Sequence, residues 1–127
     1  AAMETLANRI AASAPSGRVF VYEGPVYLYA MLDRYPPTPV FYPYHLFYRA
    51  EDHASYFDVA SEVGKVLAWR PEVVVIAHGE ASRDESPRTG PLVRQYLREN
   101  CRLLFTHRVR ELYGANEVDV WGDCARD

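Results

Sequence analysis

Long apolar runs are missing from this sequence. No stretch approaches the roughly 20 consecutive apolar residues that cross a bilayer, and no secretory leader is visible. The chain as it stands reads as soluble. It also reads as a piece of something longer, because Ala1-Ala2-Met3 is as much a boundary as a natural start. Lysine is almost absent: Lys65 is the only one, and the arginines are scattered. With a formal net charge of -3, the chain lacks the concentrated basic face of a nucleic-acid binder. There is no internal repeat and no low-complexity segment.

The signatures of cofactor and catalytic sites are missing too. No G-x-G-x-x-G follows a strand. The turn after the first apolar run is "YEGPVY" (22–27), with one glycine, a glutamate that repels phosphate, and a proline that removes a donor. No H-E-x-x-H and no close His/Cys spacing point to a metal. No G-x-S-x-G elbow is present, and Ser13, Ser16, Ser55, Ser61, Ser82 and Ser86 have no nucleophile context. Cys101 opens a predicted strand with nothing nearby to activate its thiol. The sequence therefore assigns no catalytic residue, metal or cofactor.

What is present is an ordinary domain-sized core. The chain has 127 residues, 49 % hydrophobic and 24 % charged, which suits one α/β domain over 1–127. Met3, Leu6, Ile10 and several alanines recur at helical spacing over 3–14, and "PSG" at 15–17 stops that helix. "RVFVY" (18–22) is a continuous apolar run, the pattern of a strand buried on both faces. Gly24-Pro25 opens a short helix, "PVYLYAML". Val40-Phe41-Tyr42 is a second predicted strand. Residues 52–69 form the clearest helix, with Tyr56, Val59, Ala60, Val63 and Leu67 on one stripe and Ser55 with Asp58 resembling a capping box. "EVVVIA" (72–77) is the strongest strand and should be central. A charged insert, Glu80 to Gly90, has no apolar anchor and reads as mobile. Thr89-Gly90-Pro91 starts a helix with Leu92, Val93, Tyr96 and Leu97 inward. "CRLLFTH" (101–107) is a fourth strand. "EVDVW" (117–121) alternates, as an edge strand with one wet face does.

This alternation predicts a three-layer, Rossmann-like, mostly parallel sheet. The last two strands are separated by only about nine residues, too few for a parallel crossover, so they should form an antiparallel hairpin. The expected order of the five predicted strands is 2-1-3-4-5, with the C-terminal strand antiparallel at the edge. A hairpin centred on Leu112-Tyr113 places Cys101 and Cys124 nearly opposite each other, where a disulfide is geometrically open to them. The other reading is two free thiols, since a one-residue slip turns one of them to the other face.

Ligands of open α/β sheets bind beyond the carboxyl ends of the strands. Three segments converge there: Tyr22-Glu23-Gly24, Pro43-Tyr44-His45 and His78-Gly79-Glu80. Glu23, His45 and His78 are candidates for an acid/base or metal site. The plainer reading is that they cap strand ends at the surface. "RYPPTPVFYPYHLFY" (34–48) packs four prolines and six aromatic rings into one stretch. The prolines favour extended backbone. Rings with polar tips, Tyr42 and Tyr44 among them, suit carbohydrate or lipid-headgroup contact, a lid over the core, or docking on another domain.

One wider pattern emerges from these pieces. An amphipathic helix leads into "GRVFVYEGPVYLYAMLDRYPPTPVFYPYHL", a helix leads to "RPEVVVIA", and a helix and hairpin finish the chain. Over residues 3–121 this resembles the soluble C-terminal domain of polytopic, lipid-dependent glycosyltransferases. That group includes the dolichyl-phosphate-mannose-protein mannosyltransferase-like and aminoarabinose transferase-like membrane enzymes. The chain departs from the pattern at Leu32-Asp33, where relatives carry Ser-Gly before the arginine, and in its longer insert at 80–90. The resemblance implies an extramembrane, periplasmic domain of an inner-membrane enzyme. Its catalytic carboxylates would lie elsewhere in the polypeptide, so the domain would have no activity of its own. Its partners would be the membrane part of the same polypeptide and a glycan or lipid-linked sugar, with no nucleic acid. Glu23, Arg34, Tyr42, Tyr44, His45 and His78 would then form a ligand or docking surface. The competing readings are a stand-alone α/β module binding a small ligand at the strand ends, and a small enzyme using Glu23, His45 or His78.

Overall fold

A computed structural model of the chain describes residues 2–23, 27–33, 37, 58–79, 85–112 and 115–124. The described chain is a mixed α/β fold. Its elements in order are α1 (Ala2–Ser13), β1 (Val19–Glu23), α2 (Tyr27–Met31), α3 (Val59–Ala68), β2 (Val73–Gly79), α4 (Gly90–Asn100), β3 (Arg102–Leu112) and β4 (Ala115–Gly122). The expected strand at Val40–Tyr42, and Ser55 and Tyr56 of the expected long helix, lie outside the described residues. So does the 80–84 part of the insert.

The four described strands form one sheet in the order β1-β2-β4-β3. β1 and β2 are parallel, with Val19 beside Val73 and Val21 beside Val75. β4 runs antiparallel to both β2 and β3. The central place expected for "EVVVIA" is what β2 occupies, with Val73, Val74 and Val75 fully buried. The expected hairpin is also present, with Phe105 beside Val120 and His107 beside Val118.

The strand order at this end of the sheet differs from expectation. The C-terminal strand is not at the edge: β4 lies between β2 and β3, and β3 takes the edge. Alternation along "EVDVW" does report one dry face, since Val118 and Val120 are fully buried. It says nothing about the direction in the plane of the sheet, where backbone hydrogen bonds determine which strand is outermost. β3 suits the edge because Arg102 and Arg108 project exposed charge there, which discourages further strand pairing.

Side chains of the strands alternate between two apolar clusters. Val19, Val21, Val73, Val75, Ala77, Val118 and Val120 pack with Leu6, Ala7 and Ile10 of α1 and Leu28 and Tyr29 of α2. Phe20, Tyr22 and Val74 pack with Val63 and Val66 of α3 and with Val93, Tyr96 and Leu97 of α4. Leu92, expected to face inward, is instead 36 % exposed. It lies about 100° round the helix from Val93, off the stripe that Val93, Tyr96 and Leu97 define. Asp58 is the N-cap of α3, its carboxylate accepting from the Ala60 N–H at 3.2 Å. The last turn of the insert is anchored, not loose. Ser86 and Thr89 are buried, and the Ser86 hydroxyl accepts the N–H groups of Arg88 and Thr89 at 3.1 and 3.3 Å.

Cys101 and Cys124 form a disulfide, their Cα atoms 4.3 Å apart. The hairpin ladder shifts by one residue between Leu103 and Phe105. Leu104 is the extra residue, and a Cβ added at Gly122 would collide with its side chain. The bulge thus seats Leu104 over a glycine.

Two outcomes follow from this hairpin. Replacing both cysteines by serine opens a loop with a sequence separation of 23, which costs about 3 kcal/mol in the chain-entropy model. The melting temperature should fall by roughly 10 °C; a melt within a degree of the parent would show that the bond contributes nothing. Gly122→Ala should destabilise by about 1–3 kcal/mol through overpacking. Leu104→Ala made in the same chain should recover part of that loss, and strictly additive effects would show that the two residues do not meet.

Candidate functional site

Glu23 ends β1 and is only 7 % exposed. Its Oε1 is buried without a hydrogen-bond partner among the described residues. Removing a carboxylate from water without compensation disfavours the charged form. The Glu23 pKa is accordingly pushed up to about 8, first by burial and then by the negative charge of Glu85. A proton remains on Glu23 at neutral pH.

Local irregularity in β1 shapes this corner. The β1–β2 ladder shifts between Val21 and Glu23, so that Glu23 sits beside Ile76. A regular strand would send Tyr22 and Glu23 to opposite faces. With the bulge, both lie within electrostatic reach of Glu85. The Tyr22 hydroxyl is 2.8 Å from the Thr89 hydroxyl in a buried contact, and burial drives its pKa far up. On the other side of the strand, the Val21 N–H donates to the Tyr29 hydroxyl at 2.8 Å and ties α2 to β1.

The start of α4 supplies the rest. Glu85 pairs with Arg94 across the first turn of α4. A negative group suits that end of a helix, where backbone N–H groups lack intrahelical partners. Gly90 makes room for the pair: a Cβ there would stand 2.8 Å from the Glu85 Cδ and 2.9 Å from the Arg94 Nη1. Arg88 reaches back to Asp58 at 2.7 Å, linking the turn before α4 to the N-cap of α3.

Of the residues singled out in the sequence, Glu23 lies at this corner. His78 lies in β2 with its backbone beside Glu117 of β4. Arg34, Tyr42, Tyr44 and His45 lie outside the described residues. Among the described residues, no three His, Cys, Asp or Glu side chains converge as a metal site would require. The sequence reading missed Glu85, Thr89 and Arg94. The "TGP" helix start marked the place, but a pair nine residues apart across a turn follows no local spacing rule. A carboxyl held protonated at pH 7 has the acidity of a general acid. The Oε1 is buried and without a hydrogen-bond partner among the described residues, which is compatible with a structural or a binding role for Glu23.

No protein family, curated protein or solved structure matches this chain.

Glu23 should leave its mark on stability. Below pH 4.5, its ordinary pKa, the proton is bound in folded and unfolded chains alike and stability is at its full value. As pH rises from there to about 8, the unfolded chain loses its proton first and stability declines. Glu23→Gln keeps the shape of the protonated acid and removes the titration. The variant's melting temperature should fall less over this range and exceed the parent's at alkaline pH. Parallel curves for the two proteins would mean that Glu23 is ionised in the fold.

Proposed function

We propose that this chain is a non-catalytic extramembrane domain of an integral-membrane glycosyltransferase that moves a sugar from a polyprenyl-phosphate donor. It lies on the periplasmic face of the inner membrane and acts in docking or on the acceptor side of the enzyme. The observation that carries the location is the Cys101–Cys124 disulfide, because such bonds persist in oxidising compartments. The resemblance set out from the sequence supplies the enzyme class. Among the described residues no helix is long and apolar enough to cross a membrane, so membrane attachment in this reading comes from the rest of the polypeptide. The Arg34–Tyr48 stretch serves as the contact with it.

The same proposal includes a three-layer, Rossmann-like arrangement with Val40–Tyr42 beside β1. All five residues of β1 are buried, although the described sheet pairs the strand on one side only. A second reading, a stand-alone module binding a small ligand at the strand ends, is favoured by the Glu23 oxygen that has no partner among the described residues.

Fractionation of native cells, blotted with antibody to this chain, separates the two. The membrane-enzyme reading expects a band several times larger than 14.5 kDa in the membrane fraction, and no sugar transfer by the isolated chain. A soluble native product near 14.5 kDa overturns it in favour of the binding module.

A further inference from the structure

The amino ends of the strands, opposite the Glu23 corner, carry a different chemistry. Arg18 immediately precedes β1, and Trp69 and Arg70 follow α3 on the way to β2. The Arg18 Nε–H donates to the Arg70 carbonyl oxygen at 2.9 Å, so the two arginines are held together. Neither guanidinium has a carboxylate partner among the described residues. Glu72, the nearest acid in sequence, lies at the same strand end, its N–H donating to the Arg18 carbonyl oxygen at 2.8 Å, but its Oε1 is taken up by the Ser16 N–H and hydroxyl at 2.9 and 2.6 Å. Both arginine charges are felt at the Tyr96 hydroxyl, which donates to the Pro71 carbonyl oxygen at 2.8 Å.

One feature beside the arginines is unusual for a face that meets only water: Trp69 is 41 % exposed. Arg70, with φ 63°, directly follows the C-cap Trp69 of α3, where helices commonly end in the left-handed region, so its backbone is explained by the helix end. An indole with an apolar body and a polar N–H settles at the headgroup level of bilayers. Guanidinium forks match phosphate oxygens in pairs.

We propose that Arg18, Trp69 and Arg70 form a contact surface for an anionic membrane, with the guanidiniums on lipid phosphates and the indole among the headgroups. The partner is a membrane and not a free phosphate, because among the described residues no helix N-terminus stands beside the arginines to complete a cradle, and a free anion leaves the exposed indole without a role. The chain carries a net charge of -3, so only a locally positive face can approach such a surface. The inference rests on the reading of the chain as a membrane-tethered domain, where a high effective concentration makes a weak contact sufficient.

Vesicle co-sedimentation of the whole chain tests it, using phosphatidylcholine vesicles with and without phosphatidylglycerol. Binding is expected only with the anionic lipid, together with a blue shift of Trp fluorescence that Trp69→Ala abolishes. Arg18→Gln and Arg70→Asn should each weaken partitioning about fivefold, and added salt should weaken it further. Asn tolerates the left-handed backbone, and Arg18→Lys keeps the charge, so it should retain binding even though the Nε–H contact is lost. Equal partitioning to both vesicle types, or none, overturns the inference. So does inorganic phosphate that binds the free chain at millimolar concentration and displaces it from vesicles without any fluorescence shift. Failure here with a large membrane-fraction band on the native blot removes the contact surface and leaves the proposed function standing. A small soluble native product removes the proposed function whatever the vesicles do.

Discussion

A strand whose side chains leave water on both faces has to be covered from two directions, and β2 is that strand. Val73 and Val75 enter one apolar cluster and Val74 the other. Its backbone is also engaged on both edges, by parallel β1 and antiparallel β4. The helices find their places around it: α1 and α2 share the apolar cluster of Val73 and Val75, while α3 and α4 share that of Val74. The disulfide then fastens the end of α4 to the residues that follow β4. Loop closure of this kind acts mainly on the unfolded chain, so it reinforces an arrangement that packing has already chosen.

The two ends of this sheet solve opposite electrostatic problems. At the carboxyl end, burial makes charge expensive and Glu23 answers by keeping its proton. Glu85 remains tolerable there because Arg94 and the start of α4 balance it. At the amino end, partial exposure makes charge cheaper, and Arg18 and Arg70 stand together with no carboxylate partner among the described residues, Glu72 beside them being held by Ser16. Water screens their repulsion, so the pair is allowed but not required by stability. That asymmetry is why the buried corner speaks for the integrity of the fold and the open end for an external partner.

The corner around Glu23 also shows how a small backbone irregularity creates a local environment. One extra residue in β1 brings adjacent side chains, Tyr22 and Glu23, within reach of the same carboxylate. Gly90 contributes by what it lacks, since a methyl group there would displace the Glu85–Arg94 pair. The hairpin repeats the device with Leu104 and Gly122. In both places, a glycine makes room for a neighbour that a side chain would exclude.

The sequence by itself determined several of the elements and the hairpin offset. Periodicity is local: it marked α1, β1, β2 and α4, and the short connection between the last two strands left only an antiparallel pairing. That offset set Cys101 against Cys124, with the choice between disulfide and free thiols resting on one residue of slip. Glu23 was legible as a strand-end carboxylate, but its protonation was not, because desolvation is a property of what surrounds a side chain. Only the tertiary structure decided that β4, and not β3, lies against β2. The apolar pattern records which face of a strand is dry, whereas strand order is settled by backbone hydrogen bonds in the plane of the sheet, which every residue type except proline makes alike. The Glu85–Arg94 and Arg18–Arg70 contacts were likewise decided there, since their partners meet across turns and strand ends that no sequence spacing encodes.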